Sequence, residues 1–498
     1  MQQQFDRAYA NRTLAYFAVL AAFVMYVEMM LTPSLPRIAA DYGVTSSQVS
    51  LVLSLYTVFG TAVAPVVGKL GDIHGKKKVL TYVLILYVIM VTSTSFSPSY
   101  SYLLASRTLQ GIGLSIFPLA FSLVREEFPR DLIPRAQGLL SAMFAAGAAI
   151  GLPVGAYISN SLGWQSTYHT AVPFIVVLTI LIIWQVRESS YRNPSATLDR
   201  SGALMLGLAL ALIVFALSEG SSWGWGSTPV VTLFVVGFSL FVPLIYFERK
   251  KAQPILNLVL LGKRNVFVAN VLGLVSGMAM FLAFQSLTFQ LELPPPAGLG
   301  YDILSTGLFI LPFALVVVII ALPVGIAVSK IGVRPFVLVG ALVAALGFAF
   351  ASVTSDAAGL STYLMVIAAG MGMQMVAIQN LLVLSVSPRE MGLATSLNTV
   401  FRNVGTSLGA PIAGSLISTY TAWYYAGSYK GIPILYSIPS KVAFQYAYDV
   451  AVIAFIAGFF VTFLSREVIG RWAEKGAAVE LNDDHANELR PSAEPART

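Results

Sequence analysis

The chain has 498 residues, of which 57% are hydrophobic and only 11% are charged. This composition excludes a soluble enzyme or a string of ordinary soluble domains, and it predicts an all-α protein that folds in a lipid bilayer. The formal net charge of +7 does not indicate nucleic-acid binding, because the basic residues are spread along the chain instead of being gathered on one soluble surface.

Fourteen apolar stretches are long enough to cross the hydrocarbon as helices, since a span needs about 20 apolar residues. The first stretch is too long for the apolar region of a signal peptide, and Pro33 and Pro36 follow it instead of a cleavage site, so it is predicted to remain as a span. The predicted spans are residues 14–31, 49–67, 79–96, 102–124, 136–158, 168–186, 201–217, 230–247, 266–291, 304–328, 335–353, 360–386, 393–417 and 446–464.

The basic residues predict the orientation of these spans, since short cytoplasmic loops carry an excess of lysine and arginine. If the N-terminus is inside, almost all of the 30 lysines and arginines lie in cytoplasmic segments. Arg37, Lys430 and Lys441 lie outside, and Arg107 and Arg402 lie within spans. An even number of spans returns the C-terminus to the cytoplasm. Both termini of this multi-pass protein are therefore predicted to be cytoplasmic.

Two internal echoes predict a duplicated chain. The glycine-rich loop at residues 68–77 is echoed at residues 325–334, at the same place in each six-span unit. A second echo pairs glycines 138, 151 and 155 with glycines 392, 405 and 409, although chance recurrence in a glycine-rich membrane protein is an alternative explanation. The predicted architecture has two six-helix bundles, at residues 1–190 and 261–465. Two inserted transmembrane helices with their loops occupy residues 191–260, and a cytoplasmic disordered tail occupies residues 466–498.

Three sequence blocks carry a family resemblance over nearly the whole chain. They are GKLGDIHGKKK at residues 68–78, RTLQGIG at residues 107–113 and GAAIGLPVG at residues 147–155. In these blocks the chain resembles the major facilitator superfamily, specifically its fourteen-span drug:proton antiporters. In the third block Leu152 departs from the family pattern, because it separates the usual adjacent glycine and proline. The resemblance implies a major facilitator fold and the export of organic compounds in exchange for protons.

The loop block implies a conformational latch between the cytoplasmic ends of the two bundles in the outward-facing state. Asp72 would be the latch and Lys76 its partner, and Glu126 or Glu127 below span four would be the next link. Gly68 and Gly75 would allow the sharp turn between spans two and three. The alternative is that these are ordinary solvated loop charges that obey the positive-inside rule.

Glycines recur every four residues in span five, so Gly147, Gly151 and Gly155 lie on one helical face that another helix can approach closely. Pro153 is expected to kink the helix, because it lacks a backbone donor. The resemblance connects this antiporter motif with bundle closure and with prevention of leak. A purely structural packing groove is an equally open interpretation.

Glu28 is predicted to lie deep in span one, where an ionisable residue normally faces an aqueous cavity and has a function. There a proton and a bound cation would compete for the same carboxylate oxygens. The alternatives are a structural partner for Arg107 or an acid at the membrane interface. The resemblance makes Arg107 the buried arginine of span four that tunes proton transfer, and its alternative role is hydrogen bonding to backbone carbonyls.

Polar and aromatic side chains in other spans are candidates for the substrate cavity, although each of them singly is more often packing. By the internal repeat, Phe284 and Gln285 occupy the place equivalent to Glu28. Arg402 would provide anion affinity or would pair with a neighbouring helix. The candidates are Tyr26, Tyr56, Gln110, Phe144, Phe284, Gln285, Gln379, Asn380, Asn398, Phe401 and Arg402.

The predicted function is proton-coupled export of organic, cationic or lipophilic compounds across the plasma membrane by a monomer. Its partners would be a small-molecule substrate, protons and the lipid bilayer. No cofactor or metal is predicted, since cysteine is absent and the three histidines are scattered. An ATP-driven pump is disfavoured, because no G-x-x-x-x-G-K-[ST] element occurs. The alternatives are export of a native metabolite, peptide or lipid-like solute, a proton-independent facilitator, and a channel or receptor.

Overall fold

The computed structural model of the chain describes residues 7–129, 132–188, 192, 198–251, 254–386, 390–429 and 432–467. Helices dominate these residues, and a two-stranded antiparallel hairpin joins the last two of them. The helices are α1 (Arg7–Met29), α2 (Leu35–Tyr42), α3 (Ser46–His74), α4 (Lys76–Ser95), α5 (Tyr100–Gln110), α6 (Ile116–Glu127), α7 (Ile133–Leu162), α8 (Gln165–Gln185), α9 (Arg200–Trp223), α10 (Thr228–Ser239), α11 (Phe241–Glu248), α12 (Leu258–Leu261), α13 (Arg264–Glu292), α14 (Ile303–Ile331), α15 (Arg334–Val353), α16 (Ala357–Val383), α17 (Met391–Thr419) and α18 (Lys441–Thr462).

Twelve helical segments within the described residues are long and apolar enough to cross a membrane. Two more helices, α7 with 30 residues and α17 with 29, lie where the sequence predicts spans five and thirteen. Helix length and composition therefore establish about twelve spans. The predicted number of fourteen requires α7 and α17 to cross as well.

The first span is longer than predicted and is broken in its second half. It runs from Arg7 to Tyr42 and consists of α1, a 3-10 turn at Thr32–Ser34, and α2. Pro33 and Pro36 cause this break, because proline lacks the backbone donor that would continue an α-helix. Glu28 lies well inside this longer segment, in agreement with its predicted position deep in span one.

The fourth span is broken in a similar way. It runs from Tyr100 to Glu127 and consists of α5, a 3-10 stretch at Gly111–Ser115, and α6. Arg107 lies one turn before the 3-10 stretch. Interrupted membrane helices leave backbone groups that are free to bind ions or side chains. Both breaks lie beside a predicted site residue.

The two halves share an equivalent helix crossing. In the first half α7 packs on α1, and a Cβ added at Gly151 would meet the Tyr26 carbonyl oxygen at 2.7 Å. In the second half α17 packs on α13, and a Cβ added at Gly405 or Gly409 would overlap the α13 backbone. Both crossings therefore depend on glycine for close approach. Two glycine pairs of the second echo, 151 with 405 and 155 with 409, share this packing role.

The first echo reflects an equivalent turn. Gly75 links α3 to α4 with a φ of +107°, and Gly332 links α14 to α15 with a φ of +106°. L-residues with a side chain rarely adopt such angles. The prediction that Gly68 also belongs to this turn is wrong, because α3 continues through it to His74, seven residues beyond the predicted end of the span.

The two halves meet at one end of the helices. Ser46 at the start of α3 is hydrogen-bonded to Ser418 of α17, with 2.8 Å between the hydroxyl oxygens. Gln285 of α13 donates its amide to the Ser46 carbonyl at 3.3 Å. At a second contact Gly307 of α14 packs against Ala156 of α7. The hydrogen bonds that the structure describes between the halves lie at this end, which the predicted topology places outside.

The inserted helices are not peripheral. Helix α9 packs against α3 of the first half and also against α17 of the second half. Leu206 and Val214 of α9 share a buried apolar cluster with Val58 of α3 and Val400 of α17. Helix α9 therefore covers a seam between the halves and α10 packs on α9, which the sequence did not predict.

A β-hairpin between α17 and α18 was also missed by the sequence analysis. Strand β1 (Thr421–Tyr429) pairs with β2 (Ile432–Pro439), and Tyr425 faces Leu435 in the register. The side chains of Trp423 and Tyr425 are exposed. Aromatic residues spaced two apart are a strand signal, but the segment was treated only as a loop between two spans.

Candidate functional site

Glu28 and Arg107 lie together in the core of the first half. The side chain of Glu28 is 6% exposed and that of Arg107 is fully buried. Arg107 donates through Nη2 to the carbonyl oxygen of Glu28 at 3.0 Å and through Nη1 to that of Val27 at 3.5 Å. These carbonyls belong to the last turn of α1, where backbone carbonyl groups have no N–H partner within the helix. The guanidinium thus binds the negative end of a helix dipole.

Arg107 thus donates to backbone carbonyls, as its alternative role requires, and its part in proton transfer stays a prediction. Its guanidinium also stacks over the Tyr56 ring at 4.4 Å, so one side chain connects α5 with α1 and α3. The Glu28 carboxylate itself forms no ion pair in the part of the chain that the structure describes, and its Oε2 lacks a hydrogen-bond partner there. A buried carboxylate oxygen without a donor is free to bind a proton or a cation.

Arg402 of α17 brings a second positive charge to this carboxylate from the other half. The charges of Arg107 and Arg402 both act on Glu28. Arg402 is half-buried, and its carbonyl accepts a hydrogen bond from Thr406 at 2.9 Å. The sequence had placed Phe284 and Gln285 at the equivalent position, which suggested an amide and no charge. Instead Arg402 is the charged group from the second half.

Buried tyrosines belong to the same core. Tyr56 lies under the Arg107 guanidinium, and Tyr87 and Tyr168 are fully buried as well. Within the described residues the hydroxyls of Tyr56 and Tyr168 have no hydrogen-bond partner. Gln110, one turn after Arg107, is fully buried as well. Tyr87 and Tyr168 could not be predicted as site residues, because a single tyrosine in an apolar helix gives no pattern that separates it from packing.

The predicted latch residues form one cluster. It lies at the end of the first half that is farther from the Ser46–Ser418 contact. Lys76 Nζ lies 3.1 Å from Asp72 Oδ1 and 2.7 Å from Glu126 Oε1. Lys76 is only 2% exposed, so this ion pair joins α3, α4 and α6 in a partly dry environment. Glu127 lies next to Glu126 on α6 and is half-buried. The structure brings these residues together, and their action as a latch stays a prediction.

The antiporter-motif glycines face the helix that carries Glu28. A Cβ added at Gly147, Gly151 or Gly155 would meet the α1 segment at Ala22, Tyr26 or Met30. On the other side of α7, Gly307 of α14 approaches Leu152 and Pro153. The motif therefore packs between α1 and a helix of the second half. This position is compatible with both the packing and the closure interpretation.

Most other cavity candidates take part in helix contacts. The amide of Asn398 donates to the Ala269 carbonyl at 2.8 Å, and that of Asn380 donates to Val376 of its own helix at 2.9 Å. Phe284 packs edge-on against Phe313 at 5.2 Å. Phe144 lies outside the residues whose side chains are described. The half-buried candidates are Tyr26, Gln379, Asn380, Phe401 and Arg402.

Comparisons with known proteins bear on what this site does. The sequence profile of the Major Facilitator Superfamily matches residues 17–410 and 266–480. The multidrug transporter protein MdtP of Bacillus subtilis (strain 168) is 26% identical over 415 residues, which cover 82% of this chain and 75% of that protein. The cephamycin export protein CmcT of Amycolatopsis lactamdurans is 26% identical over 430 residues, or 82% of this chain and 87% of that protein.

Two further comparisons concern a longer relative and a solved structure. The uncharacterized MFS-type transporter Rv1877 of Mycobacterium tuberculosis (strain ATCC 25618 / H37Rv) is 30% identical over 419 residues, and the match spans 59% of that protein. A bacterial homolog of the human lysosomal transporter Spinster, crystallised in an inward-facing and unoccupied conformation, superposes with a TM-score of 0.66. It is 12% identical, and the match covers 92% of this chain and 98% of that one. This likeness concerns the fold alone.

Proposed function

Since the chain belongs to the Major Facilitator Superfamily, and is thus a multi-pass membrane transporter and not an enzyme, we propose that it exports organic compounds in exchange for protons. The substrates would be cationic or lipophilic solutes. The protein would act as a monomer in the plasma membrane, with no cofactor and with the proton gradient as its energy source.

The environment of Glu28 carries this proposal. Its carboxylate is buried and lacks an ion pair among the described residues, while two arginines from the two halves act on it. A proton or a cationic solute that bound there would change the electrostatic attraction to both arginines. Because Arg107 belongs to the first half and Arg402 to the second, such binding would alter the relation between the halves. Ligand binding that differs between two arrangements is what couples it to a conformational change.

The contacts between the halves support alternating access. The halves touch through Ser46 and Ser418 at one end, whereas the cluster of Asp72, Lys76 and Glu126 lies at the other end within the first half. With the predicted orientation, the closed end faces outward and the latch end faces the cytoplasm. We propose that this arrangement is the cytoplasm-facing state. In the outward-facing state Asp72 would then contact the second half.

The proposed topology has fourteen spans with both termini in the cytoplasm. Its support is the length of α7 and α17, added to the twelve segments that satisfy length and hydropathy. Helices of 29 and 30 residues exceed the roughly 20 that a bilayer requires. The distribution of lysine and arginine supports the orientation.

The proposed substrate class is supported by the names of related proteins and by the side chains of the site. MdtP is named a multidrug transporter, and the Glu28 carboxylate together with the tyrosines near Arg107 would offer charge and aromatic contact to a lipophilic cation. The similarity to a cephamycin export protein favours a second candidate, which is the export of a native metabolite. A screen of chemically diverse solutes by thermal shift at two pH values would separate these substrate classes.

The test is Glu28→Gln in proteoliposomes, with ethidium as the lipophilic cation and an imposed pH gradient as the driving force. We expect wild-type protein to accumulate ethidium and the variant to fall to the rate of protein-free liposomes. Glu219→Gln is the matched control, because Glu219 is also 6% exposed but is bound by the Gln48 amide at 3.2 Å. The control should transport at the wild-type rate.

Three outcomes would contradict the proposal in different ways. Wild-type rates in Glu28→Gln would remove this carboxylate from the mechanism. Wild-type ethidium flux that persists after the pH gradient is collapsed would favour a proton-independent facilitator. The third outcome is that the protein transports a neutral or anionic solute from the screen but not ethidium. That result would show that the cationic substrate class is wrong, and it would leave the proposal of export intact.

A further inference from the structure

A polar cavity lies between the first turns of α1 and the end of α8, far from Glu28. Its volume is about 110 Å³. Arg12 and Glu28 are separated by roughly 24 Å along the helix axis, since each helical residue rises about 1.5 Å. The six side chains that line the cavity all carry a polar group, and they are Tyr9, Arg12, Thr13, Tyr16, Gln185 and Arg187.

Two exposed arginines, Arg12 and Arg187, line this cavity. Neither Arg12 nor Arg187 has a carboxylate within ion-pairing distance among the residues described, and both are exposed. The neighbouring acid, Glu188, is bound by the backbone amides of Lys77 and Lys78 at 2.9 Å each. Two guanidinium groups that form no ion pair with the described residues, on a concave polar surface, favour an anion.

Arg187 is held in place for such a role. Its guanidinium stacks over the Tyr9 ring at 4.5 Å, and its backbone N–H donates to the Tyr9 hydroxyl at 2.8 Å. Stacking occupies the face of the guanidinium, so its N–H edge stays available for a bidentate contact with an oxyanion. Because the side chain is already ordered by Tyr9, less entropy is lost when an anion binds.

Apolar surface continues from the cavity along the seam of α1 and α8. Val19 is 46% exposed and Ile180 is 41% exposed, each seven residues from an arginine of the cavity. Trp184, which is 79% exposed, lies at the same level as the cavity on α8, as is typical of the membrane interface. The site therefore combines an anion subsite with an adjoining lipid-facing surface.

We propose that this cavity binds the phosphate of an anionic phospholipid in the cytoplasmic leaflet, with an acyl chain lying along Val19 and Ile180. The leaflet follows from the proposed orientation of α1. A basic cavity between helices on this side is the expected receptor for an anionic headgroup. Free phosphate shares the same oxyanion chemistry and would be held by Arg12 and Arg187 alone.

The experiment measures lipid binding by the purified full chain in detergent, with native mass spectrometry for retained lipid and a thermal shift for its effect. Phosphatidylglycerol, phosphatidylcholine and inorganic phosphate are added separately to wild type and to Arg12→Ala/Arg187→Ala. We expect phosphatidylglycerol to bind wild type and to raise its Tm above the value in phosphatidylcholine. Each arginine removed should weaken this binding by roughly fivefold, as expected for one basic residue near an anionic surface.

The matched control is Arg200→Ala/Arg249→Ala, which removes the same charge at the same predicted membrane face but outside the cavity. It should retain phosphatidylglycerol as wild type does, and equal weakening in both double variants would overturn the site. An equal Tm increase from inorganic phosphate without lipid would assign the cavity to free phosphate and overturn the lipid. If the double variant does not fold, Arg12→Ala, on a helix surface, decides the question by the same comparison.

Discussion

Glu188 and Glu467 cap equivalent helices in the two halves. The Glu188 carboxylate accepts hydrogen bonds from the amides of Lys77 and Lys78, at 2.9 Å each, where α4 begins. Glu467 Oε1 accepts from the amides of Val333 and Arg334, at 2.8 and 3.2 Å, where α15 begins. Each acid follows the last helix of its half, so it fixes the end of that half to the start of its third span. A carboxylate at this position also interacts favourably with the positive end of the helix dipole.

Removal of either cap should destabilise the protein. We expect Glu188→Ala and Glu467→Ala each to lower the free energy of unfolding by about 1 kcal/mol, the usual effect of losing an N-terminal cap. Unfolding in mixed micelles of increasing SDS content would measure it. Glu188→Gln and Glu467→Gln keep a carbonyl acceptor, so they should lower the free energy of unfolding by less than the alanine variants do. Alanine variants as stable as wild type would mean that water replaces the caps without loss.

Gly75 and Gly68 belong to the same motif but should respond differently to substitution, because only Gly75 lies in the turn between α3 and α4. A side chain at Gly75 would be strained by the φ of +107°, and its Cβ would lie 2.8 Å from the Glu188 carboxyl carbon. Gly75→Ala should therefore lower stability by about 1–3 kcal/mol through backbone strain, with further loss if the cap is displaced. Gly68 lies inside α3, where a Cβ meets nothing within 4 Å. Gly68→Ala should be neutral or stabilising, and equal damage from both substitutions would show that the motif is not divided in this way.

Span positions, the repeat and the motif blocks could be predicted because each depends on local chemistry. The length of an apolar helix, the polar loops between helices and a glycine turn can each be predicted from a short stretch of sequence. The capping acids could not be found in this way, because Glu188 lies 111 residues from Lys77 and reads as an ordinary loop charge. Arg402 was predicted to lie within a span, but its relation to Glu28 depends on how the two halves meet. That relation is set by tertiary packing and has no local signal.

The α1–α7 crossing should be intolerant of added volume. A Cβ at Gly147 or Gly155 would overlap the backbone carbonyl of Ala22 or Met30, which cannot move without displacing α1. We expect Gly147→Ala and Gly155→Ala to lower the free energy of unfolding by about 1–3 kcal/mol, as overpacking does. Transport should fall too, because α1 carries Glu28. Gly325→Ala is the control, since its Cβ would have only one neighbour, at 4.0 Å. Wild-type stability in both α7 variants would argue against close packing.

Two lysine–carboxylate pairs with equal N–O distances should contribute different amounts to the stability of the protein. Lys76 Nζ and Glu126 Oε1 are 2.7 Å apart, and Lys76 is 2% exposed. Lys263 Nζ and Glu390 Oε2 are also 2.7 Å apart, but their side chains are 42% and 37% exposed. Lys76→Met should lower stability by about 2 kcal/mol, because it leaves two acids without their shared partner. Lys263→Met should change stability by less than about 1 kcal/mol, since solvent screens an exposed pair. SDS unfolding of both variants checks this order, and the reverse order would contradict it.

The inserted helices are joined to the segment before the second half by a buried acid cluster. Asp199, the N-cap of α9, accepts the Gly202 amide at 2.7 Å and forms an ion pair with Lys251. Glu248 is buried beside it and accepts the Leu256 amide at 2.9 Å. Burial alone would raise the pKa of Asp199, but its hydrogen bonds with Glu248, Lys251 and Gly202 outweigh burial and hold that pKa below the ordinary 3.8. The ionised form of Asp199 is thus the one that stabilises this attachment.

The sign of the pH dependence follows from this depressed pKa. A group whose pKa is lower in the folded state contributes its full stability above the unfolded pKa, and it loses that contribution as the pH falls through the folded value. Wild-type Tm should therefore fall when the pH is lowered below about 4, and Asp199→Asn should show a smaller fall from a lower starting Tm. Lys251→Ala should move the acid loss to higher pH, because one interaction that depresses the pKa of Asp199 is gone. Lys250→Ala is the matched control, since the Lys250 ammonium lies 4.1 Å from the centre of the Tyr246 ring and forms no ion pair within the described chain. Identical Tm profiles from pH 3 to 7 in wild type and Asp199→Asn would show that ionised Asp199 does not hold the inserted helices in place.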